Sequence, residues 1–135
     1  VLAMVTTPDA PTGAPGATAP QDLVLTTGER YPVGERLHTL TPRLARAAAD
    51  ARQVLVDVAA HRETITYGEL SEEIGGAVLP RHMGPLLHML DHDCTARGEP
   101  ALAALVVNAA SGEVGTASTT WAPPERLACW EYWAP

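Results

Sequence analysis

A short helix followed by a glycine turn constrains the fold more than any other stretch of the chain. Thr66 and Glu69 have the spacing of a capping box, in which each side chain accepts a hydrogen bond from the other residue's backbone amide. The pattern predicts a helix that begins at Tyr67. Gly75-Gly76 is expected to end it, because glycine readily adopts the left-handed conformation that terminates helices.

A second helix is predicted directly after this turn. It runs from about Arg81 to Arg97 and stops at Gly98, with Pro100 just beyond. Residues 101–108 follow with apolar side chains on both faces, which is typical of a covered strand. Two helices joined by a tight turn and followed by a strand predict a helix-turn-helix of the winged kind.

The remaining segments fit around this unit. Thr41 and Pro42 predict the start of the longest helix, which ends near Ala60. Residues 64–66 suit a short strand, and residues 114–120 can return beside 101–108 as a wing. Residues 123–133 predict a last short helix whose tryptophans close the core, while residues 23–31 suit either a hairpin or an extended segment.

The fold class predicted for these 135 residues is α/β (α+β), a small winged-helix-like domain. It contains three main helices and a two- or three-stranded sheet within a single domain at residues 23–135. Residues 1–22 are rich in Pro, Gly, Ala and Thr, a composition that buries too little apolar surface to offset its ordering entropy. They are expected to form a disordered arm.

The net charge and the cysteine content argue against several classes of protein. The net charge is −7, which repels anionic partners at long range and argues against a non-specific binder of DNA or membranes. Cys94 and Cys129 are too few for a disulfide framework and are expected to be reduced core residues. With neither a long apolar run nor a signal peptide, the sequence predicts a cytoplasmic protein without a membrane partner.

The second helix of the pair has two distinct faces. Met83, Leu87, Leu90 and Cys94 share the face predicted to point into the core, with Leu86 at its edge. The opposite face is the one that a helix-turn-helix presents to DNA. It carries Arg81, His88, His92 and Thr95.

Catalytic and metal-binding interpretations are weak. His88 and His92 lie one turn apart, but Asp91 projects in another direction, Cys94 points to the core, and no second ligand pair occurs. A solvated polar face is therefore the favoured interpretation, with no metal and no cofactor. No nucleophile motif is present, so no catalytic residue is assigned and the protein is not expected to be an enzyme.

The stretch from Ile65 to Gly115 resembles the C-terminal winged-helix domain of the O6-alkylguanine DNA alkyltransferases and alkyltransferase-like proteins. Thr66-Tyr67-Gly68 is similar to the segment that opens a helix in that family, and Arg81-His82-Met83-Gly84 resembles the start of its next helix. Val106-Val107 resembles the end of its strand. The resemblance implies that Tyr67 sits by the phosphate of a flipped nucleotide and that Arg81 fills the gap left by the base.

The resemblance does not extend to the reaction. The alkyl-accepting enzymes carry Pro-Cys-His-Arg where this chain has Leu102-Ala103-Ala104-Leu105. Without a cysteine and the histidine that makes it a thiolate, methyl transfer is not expected. Alkyltransferase-like proteins also lack the cysteine but usually keep the neighbouring His-Arg, which is missing here as well.

The leading hypothesis is therefore a non-enzymatic, DNA-linked binding module, with Tyr67, Arg81, His88 and His92 as DNA-binding residues. The local charge opposes it, because residues 63–99 hold seven acids and two bases. Phosphate contacts supply most DNA affinity, so further arginines would have to help, or else a basic partner. The candidates on or near the long helix are Arg43, Arg46, Arg52 and Arg62.

The rival hypothesis is a protein-interaction module, homo-oligomeric or part of a larger assembly. It uses the helix-turn-helix as a scaffold and docks through the tryptophan-rich segment 129–133. Docking through tryptophans is expected to be nearly indifferent to salt, whereas DNA binding is expected to weaken with it. A metal-dependent hydrolase that uses His88 and His92 is a third, weaker hypothesis.

Overall fold

Four helices and two short strand pairs make up the part of the chain that the computed structural model describes, residues 23–108 and 122–135. The mixed α/β class is confirmed, whereas the arm at 1–22, the turn at 109–112 and the wing at 114–120 lie outside the described residues. Single 3-10 turns occupy Pro80–His82 and Leu102–Leu105. In chain order the elements are β1 Arg30–Val33, β2 Arg36–Thr39, α1 Pro42–Ala60, β3 Ile65–Thr66, α2 Tyr67–Glu73, α3 Met83–Arg97, β4 Val106–Val107 and α4 Ala122–Trp133.

Helix α1 is the central element, and its predicted bounds are confirmed. Thr41 caps it by accepting a hydrogen bond from the Leu44 amide at 3.1 Å. Its buried face is mostly alanine, which allows neighbouring elements to approach its backbone closely. The buried apolar residues of this face are Ala47, Ala48, Ala49, Ala51, Leu55 and Ala59.

The predicted capping box of α2 is also confirmed. The Thr66 amide donates to Glu69 Oε1 at 2.9 Å, and the Glu69 amide donates to Thr66 Oγ1 at 3.1 Å. Gly75 and Gly76 follow with φ of 72° and 73°, so both adopt the left-handed conformation that ends the helix.

Helix α3 buries the face that the sequence predicted. Met83, Leu86, Leu87, Leu90 and Cys94 are all buried. The helix ends in a Schellman motif at Gly98, where φ is 73°, with the Glu99 amide bonded to the Cys94 carbonyl at 2.9 Å. Met89 and Asp93, which lie outside the predicted face, are buried as well.

The N-terminal part of the described chain accounts for this extra burial. Strands β1 and β2 form an antiparallel hairpin that packs against α3, further along the chain than the hairpin considered for residues 23–31. Residues 23–25 precede it, and the Val24 amide donates to Asp93 Oδ1 at 2.6 Å. Strands β3 and β4 form a separate parallel pair in which Ile65 lies opposite Val106.

The strand predicted for residues 101–108 is wrong over most of its length. Leu102–Leu105 form a 3-10 turn, and only Val106–Val107 are extended. All six residues are buried. A run that is apolar at every position lacks the alternation that separates a strand from a buried helical turn, so the pattern could not distinguish the two.

A buried ion cluster joins α1 to the end of α3. Arg52 is 3% exposed and donates to both carboxylate oxygens of Glu99, at 2.7 and 3.0 Å. Asp93 is fully buried and lies 3.6 Å from Arg52 and 2.9 Å from Arg97. Burial lowers the pKa of Arg52, but the hydrogen bond and charge of Glu99 outweigh it, so the pKa is raised overall.

Helix α4 closes the core, as predicted for the late tryptophans. Trp130 and Trp133 pack against the core, and the Trp130 indole donates to the Glu63 carbonyl at 2.9 Å. The Trp133 ring lies 5.6 Å from the Arg52 guanidinium. Leu127 of the same helix is 49% exposed. No helix in residues 23–108 or 122–135 has the length and apolar character needed to cross a membrane.

Candidate functional site

A groove of about 650 Å³ opens where β2, the start of α1 and the turn before α3 meet. Its volume lies within the range of about 300–1,000 Å³ that is usual for ligand sites. The residues that line it are His38, Thr41, Arg43, Leu44, Ala77, Val78, Leu79, Arg81, His82 and Pro85. We call it the basic groove, because two arginines and two histidines line it and no acidic residue does.

The turn between α2 and α3 positions Arg81. Ser71 Oγ donates to the Val78 carbonyl at 2.8 Å, which fixes the chain after the two glycines. Leu79 is extended, as expected before proline, and Pro80 then opens the 3-10 turn that contains Arg81. The Arg81 side chain is exposed at the groove rim and forms no ion pair with another described residue.

The start of α1 provides the opposite rim. Arg43 lies in the first turn of this 19-residue helix, directly after Pro42, and is exposed. Like Arg81, it forms no ion pair with another described residue. The partial positive charge of the helix N-terminus adds to that of the arginine, and both favour an anion in the groove.

The floor of the basic groove is apolar. Leu44 and Val78 are half-buried and pack against the core cluster. Leu79 is 45% exposed, and Pro85 contributes the first turn of α3. The groove therefore combines a positively charged rim with an apolar interior.

The four DNA-binding residues predicted from the sequence do not share one surface. Arg81 lies in the basic groove, and His88 is exposed one turn beyond Pro85. His92 is half-buried under the hairpin, with Nε2 2.7 Å from the Pro32 carbonyl and its ring 5.8 Å from that of Tyr31. The hairpin thus partly covers His92 on the face that α3 was expected to present to DNA, whereas Thr95 on the same face is exposed.

Tyr67 lies apart from the basic groove. It is the first residue of α2 and is half-buried against the core cluster, and burial raises the pKa of its hydroxyl. It is not among the residues that line the groove.

The arginines that were expected to help are also dispersed. Arg43 alone lines the basic groove. Arg46 pairs with Asp50 at 3.4 Å on the surface, and Arg62 follows the far end of α1. The expectation for Arg52 is wrong, because its guanidinium is buried and occupied by Glu99.

A second groove has the opposite charge. It has a volume of about 460 Å³ and lies between the C-terminal half of α1 and α2. Its carboxylates belong to Asp57, Glu63, Glu69, Glu72 and Glu73. From Arg43 to Asp57, α1 rises by roughly 20 Å, so the two grooves lie toward opposite ends of one helix.

Neither a metal centre nor a reactive thiol is present among residues 23–108 and 122–135. No group of three His, Cys, Asp or Glu side chains in these ranges is arranged to hold a metal ion. Cys94 and Cys129 are free and buried, as predicted, and burial raises the pKa of their thiols to about 11 and about 12. Such thiols are poor nucleophiles at neutral pH.

Asp91 is the most perturbed carboxylate. Burial raises its pKa to about 6; His92 partly opposes this rise and Glu125 adds to it. Its Oδ1 is buried and has no hydrogen-bond partner among residues 23–108 and 122–135. It lines a small cavity of about 310 Å³ between α3 and α4, away from the basic groove.

Sequence reasoning missed most of the basic groove. His38 belongs to β2, a strand that was not predicted, and His82 was noted only as part of the resemblance. The capping pattern Thr41-Pro42 did place Arg43 in the first turn of a helix, where positive charges add to the helix dipole. That signal was available, but only the fold shows that Arg43 and Arg81 line one groove.

Comparison with protein-family models, curated proteins and solved structures finds no match to this chain. The described residues define a small α/β domain that carries a basic groove and an acidic groove.

Proposed function

We propose that this protein is a non-enzymatic DNA-binding module whose contact surface is the basic groove. The observation that carries the proposal is the charge distribution around that groove. Arg43 and Arg81 line it together with two histidines, and no acid does, although the chain has a net charge of −7. Phosphates are the anions that such a rim would bind in DNA.

The buried ion cluster also weakens the electrostatic objection to DNA binding. Asp93 and Glu99 count among the seven acids of residues 63–99, yet both are paired with arginines in the interior. Arg97, one of the two bases of this stretch, belongs to the same cluster, so five acids and one base remain outside it in place of seven and two. Of the four residues predicted from the sequence, Arg81 alone lines the proposed surface, and His88 is exposed one turn beyond Pro85 on α3.

Binding is expected to depend on salt in proportion to these few contacts. At and above physiological ionic strength, two phosphate contacts predict a slope of about −1.4 to −1.8 for log K against log salt, for single strands and duplex respectively. This is shallower than the slope for a protein that covers DNA with many basic side chains.

The test is the anisotropy of a labelled oligonucleotide titrated with the chain and with Arg81→Ala and Arg43→Ala. Each substitution is expected to weaken binding about tenfold and to reduce the salt slope by about one contact. Arg46→Ala is the matched control, because it removes the same charge from an exposed arginine outside the basic groove. Equal loss in all three variants, or no binding at all, would overturn the proposal.

A protein-interaction module is the second candidate, and exposed apolar side chains favour it. Leu37 is 61% exposed and Leu79 is 45% exposed. Trp130 and Trp133 are engaged in packing α4 onto the core, so docking through them is not part of this candidate. Partner binding that is insensitive to salt and to Arg81→Ala, but lost in Leu37→Ser, would support it.

A further inference from the structure

We infer that the basic groove takes a single-stranded segment of nucleic acid in preference to a duplex. Phosphates of the strand lie on Arg43 and Arg81, and an unstacked base lies on the apolar floor. The inference rests on the proposed function above and specifies its ligand class.

The shape of the groove in cross-section is the first reason to expect a single strand and not a duplex. Its charged side chains are exposed at the rim, whereas Leu44 and Val78 are half-buried in the floor. A duplex presents phosphates on its convex outside and keeps its bases stacked inside, so it would contact the rim and leave the floor empty. An unpaired strand can insert a base, and extruded bases are held between aromatic or apolar side chains.

The chemistry of the rim is the second reason. Two guanidinium groups and two imidazoles are planar, and such groups stack on bases as well as bind phosphates. A carboxylate-rich peptide can pair with the edges of the guanidinium groups but has no ring to stack on their faces. The rim therefore favours a nucleic acid over a carboxylate-rich protein segment.

The limited extent of the positive surface is the third reason. Glu72 and Glu73 are exposed on α2, within five residues of Ala77 in the groove wall, and Glu35 is exposed in the hairpin turn. A duplex spreads two rows of phosphates over a protein surface, and the second row would meet these carboxylates. A single strand can follow the groove alone.

The experiment compares three labelled probes: an oligothymidine strand, a mixed-sequence duplex of equal length, and a polyglutamate peptide. Each is titrated with the intact chain, Arg81→Ala, Leu79→Ser and Leu37→Ser. Leu37→Ser is the matched control, because it removes an exposed leucine from outside the groove, and thermal melts confirm that each variant is folded.

The strand is expected to bind about tenfold more tightly than the duplex, the size of a stacking contact with one base. Leu79→Ser is expected to weaken strand binding several-fold and leave duplex binding unchanged, while Leu37→Ser alters neither. Duplex binding as tight as strand binding, yet lost in Arg81→Ala, would overturn this inference and leave the proposed function standing. Binding of neither oligonucleotide would overturn both, and tighter binding of polyglutamate would identify a peptide site.

Discussion

Arg52 is a charged residue on which the packing of the core depends. It holds Glu99 in a bidentate pair, lies 3.6 Å from Asp93 and contacts the Trp133 ring. Removing it would leave Glu99 in the interior without its arginine and would leave Asp93 paired with Arg97 alone. Arg52→Ala is therefore expected to lower the free energy of unfolding by about 3–5 kcal/mol, as measured by urea denaturation.

Arg46, six residues before Arg52 on α1, is an exposed arginine against which Arg52 can be compared. Arg46 is 81% exposed and pairs with Asp50 at 3.4 Å on the same helix. Arg46→Ala is expected to cost less than about 0.5 kcal/mol, because solvent screens such pairs. A similar loss in both variants would show that the buried cluster contributes no more than a surface pair.

Asp91 gives the stability of the protein a distinctive pH dependence. Its pKa is about 6 in the folded chain against an ordinary value of 3.8, so the folded state keeps a proton that the unfolded chain releases. By linkage, proton binding at Asp91 stabilises the folded state fully below about pH 4, and this stabilisation is lost as the pH rises to about 6. Above pH 6 the buried carboxylate destabilises the fold.

Asp91→Asn is expected to remove this penalty. The variant should be more stable than the parent at pH 7 by about 1–3 kcal/mol, and the difference should vanish near pH 4. Urea denaturation of both proteins between pH 4 and pH 7.5 measures it. If the difference in unfolding free energy between the two proteins does not vary with pH, burial does not raise the pKa of Asp91.

At the scale of elements, the two long helices end differently. Helix α3 ends at Gly98 with φ of 73°, and a methyl group added at this glycine would meet no atom within 4 Å. Arg62, just after α1, takes the same left-handed region at φ of 55° without being glycine. This conformation costs an L-residue with a side chain roughly 1–2 kcal/mol.

The two substitutions should therefore have opposite effects. Gly98→Ala is expected to destabilise the protein by about 1 kcal/mol through backbone conformation alone, since the added methyl has open space. Arg62→Gly is expected to stabilise it by about 0.5 kcal/mol after the extra flexibility of the unfolded chain is deducted. The measurement is the urea midpoint of each variant relative to the parent protein. If Arg62→Gly lowers the midpoint, contacts of the arginine side chain stabilise the fold by more than its backbone conformation costs.

The elements that could be predicted are those whose signals are local. The Thr41 cap, the Thr66–Glu69 box and the terminating glycines act within four residues, so the bounds of α1 and α2 and the end of α3 follow from the sequence. The start of α3 was predicted at about Arg81, but a 3-10 turn at Pro80–His82 delays it to Met83. The 3-10 turn at 102–105 could not be predicted, because every residue there is apolar and its conformation is set by neighbours distant in sequence. Burial of Asp93 likewise depends on Val24, 69 residues away.

At the scale of the whole molecule, the candidate site was only half predictable. Arg81 follows from the turn after α2, but β2 and the start of α1 reach the same groove through tertiary packing. The partial burial of His92 was missed for the same reason, because the Pro32 carbonyl that accepts its hydrogen bond lies 60 residues earlier in the chain. A helical wheel shows which side chains share a face and cannot show what covers that face.

The separation of the two grooves has a consequence for how ionic strength acts on binding. At physiological ionic strength the screening length is about 8 Å, well below the roughly 20 Å between Arg43 and Asp57 along α1, so a strand in the basic groove is largely shielded from most of the acidic one. Near 10 mM salt that length grows to about 30 Å, and the strand is repelled by the whole negative molecule. Affinity should therefore pass through a maximum at intermediate salt instead of rising steadily as salt is removed.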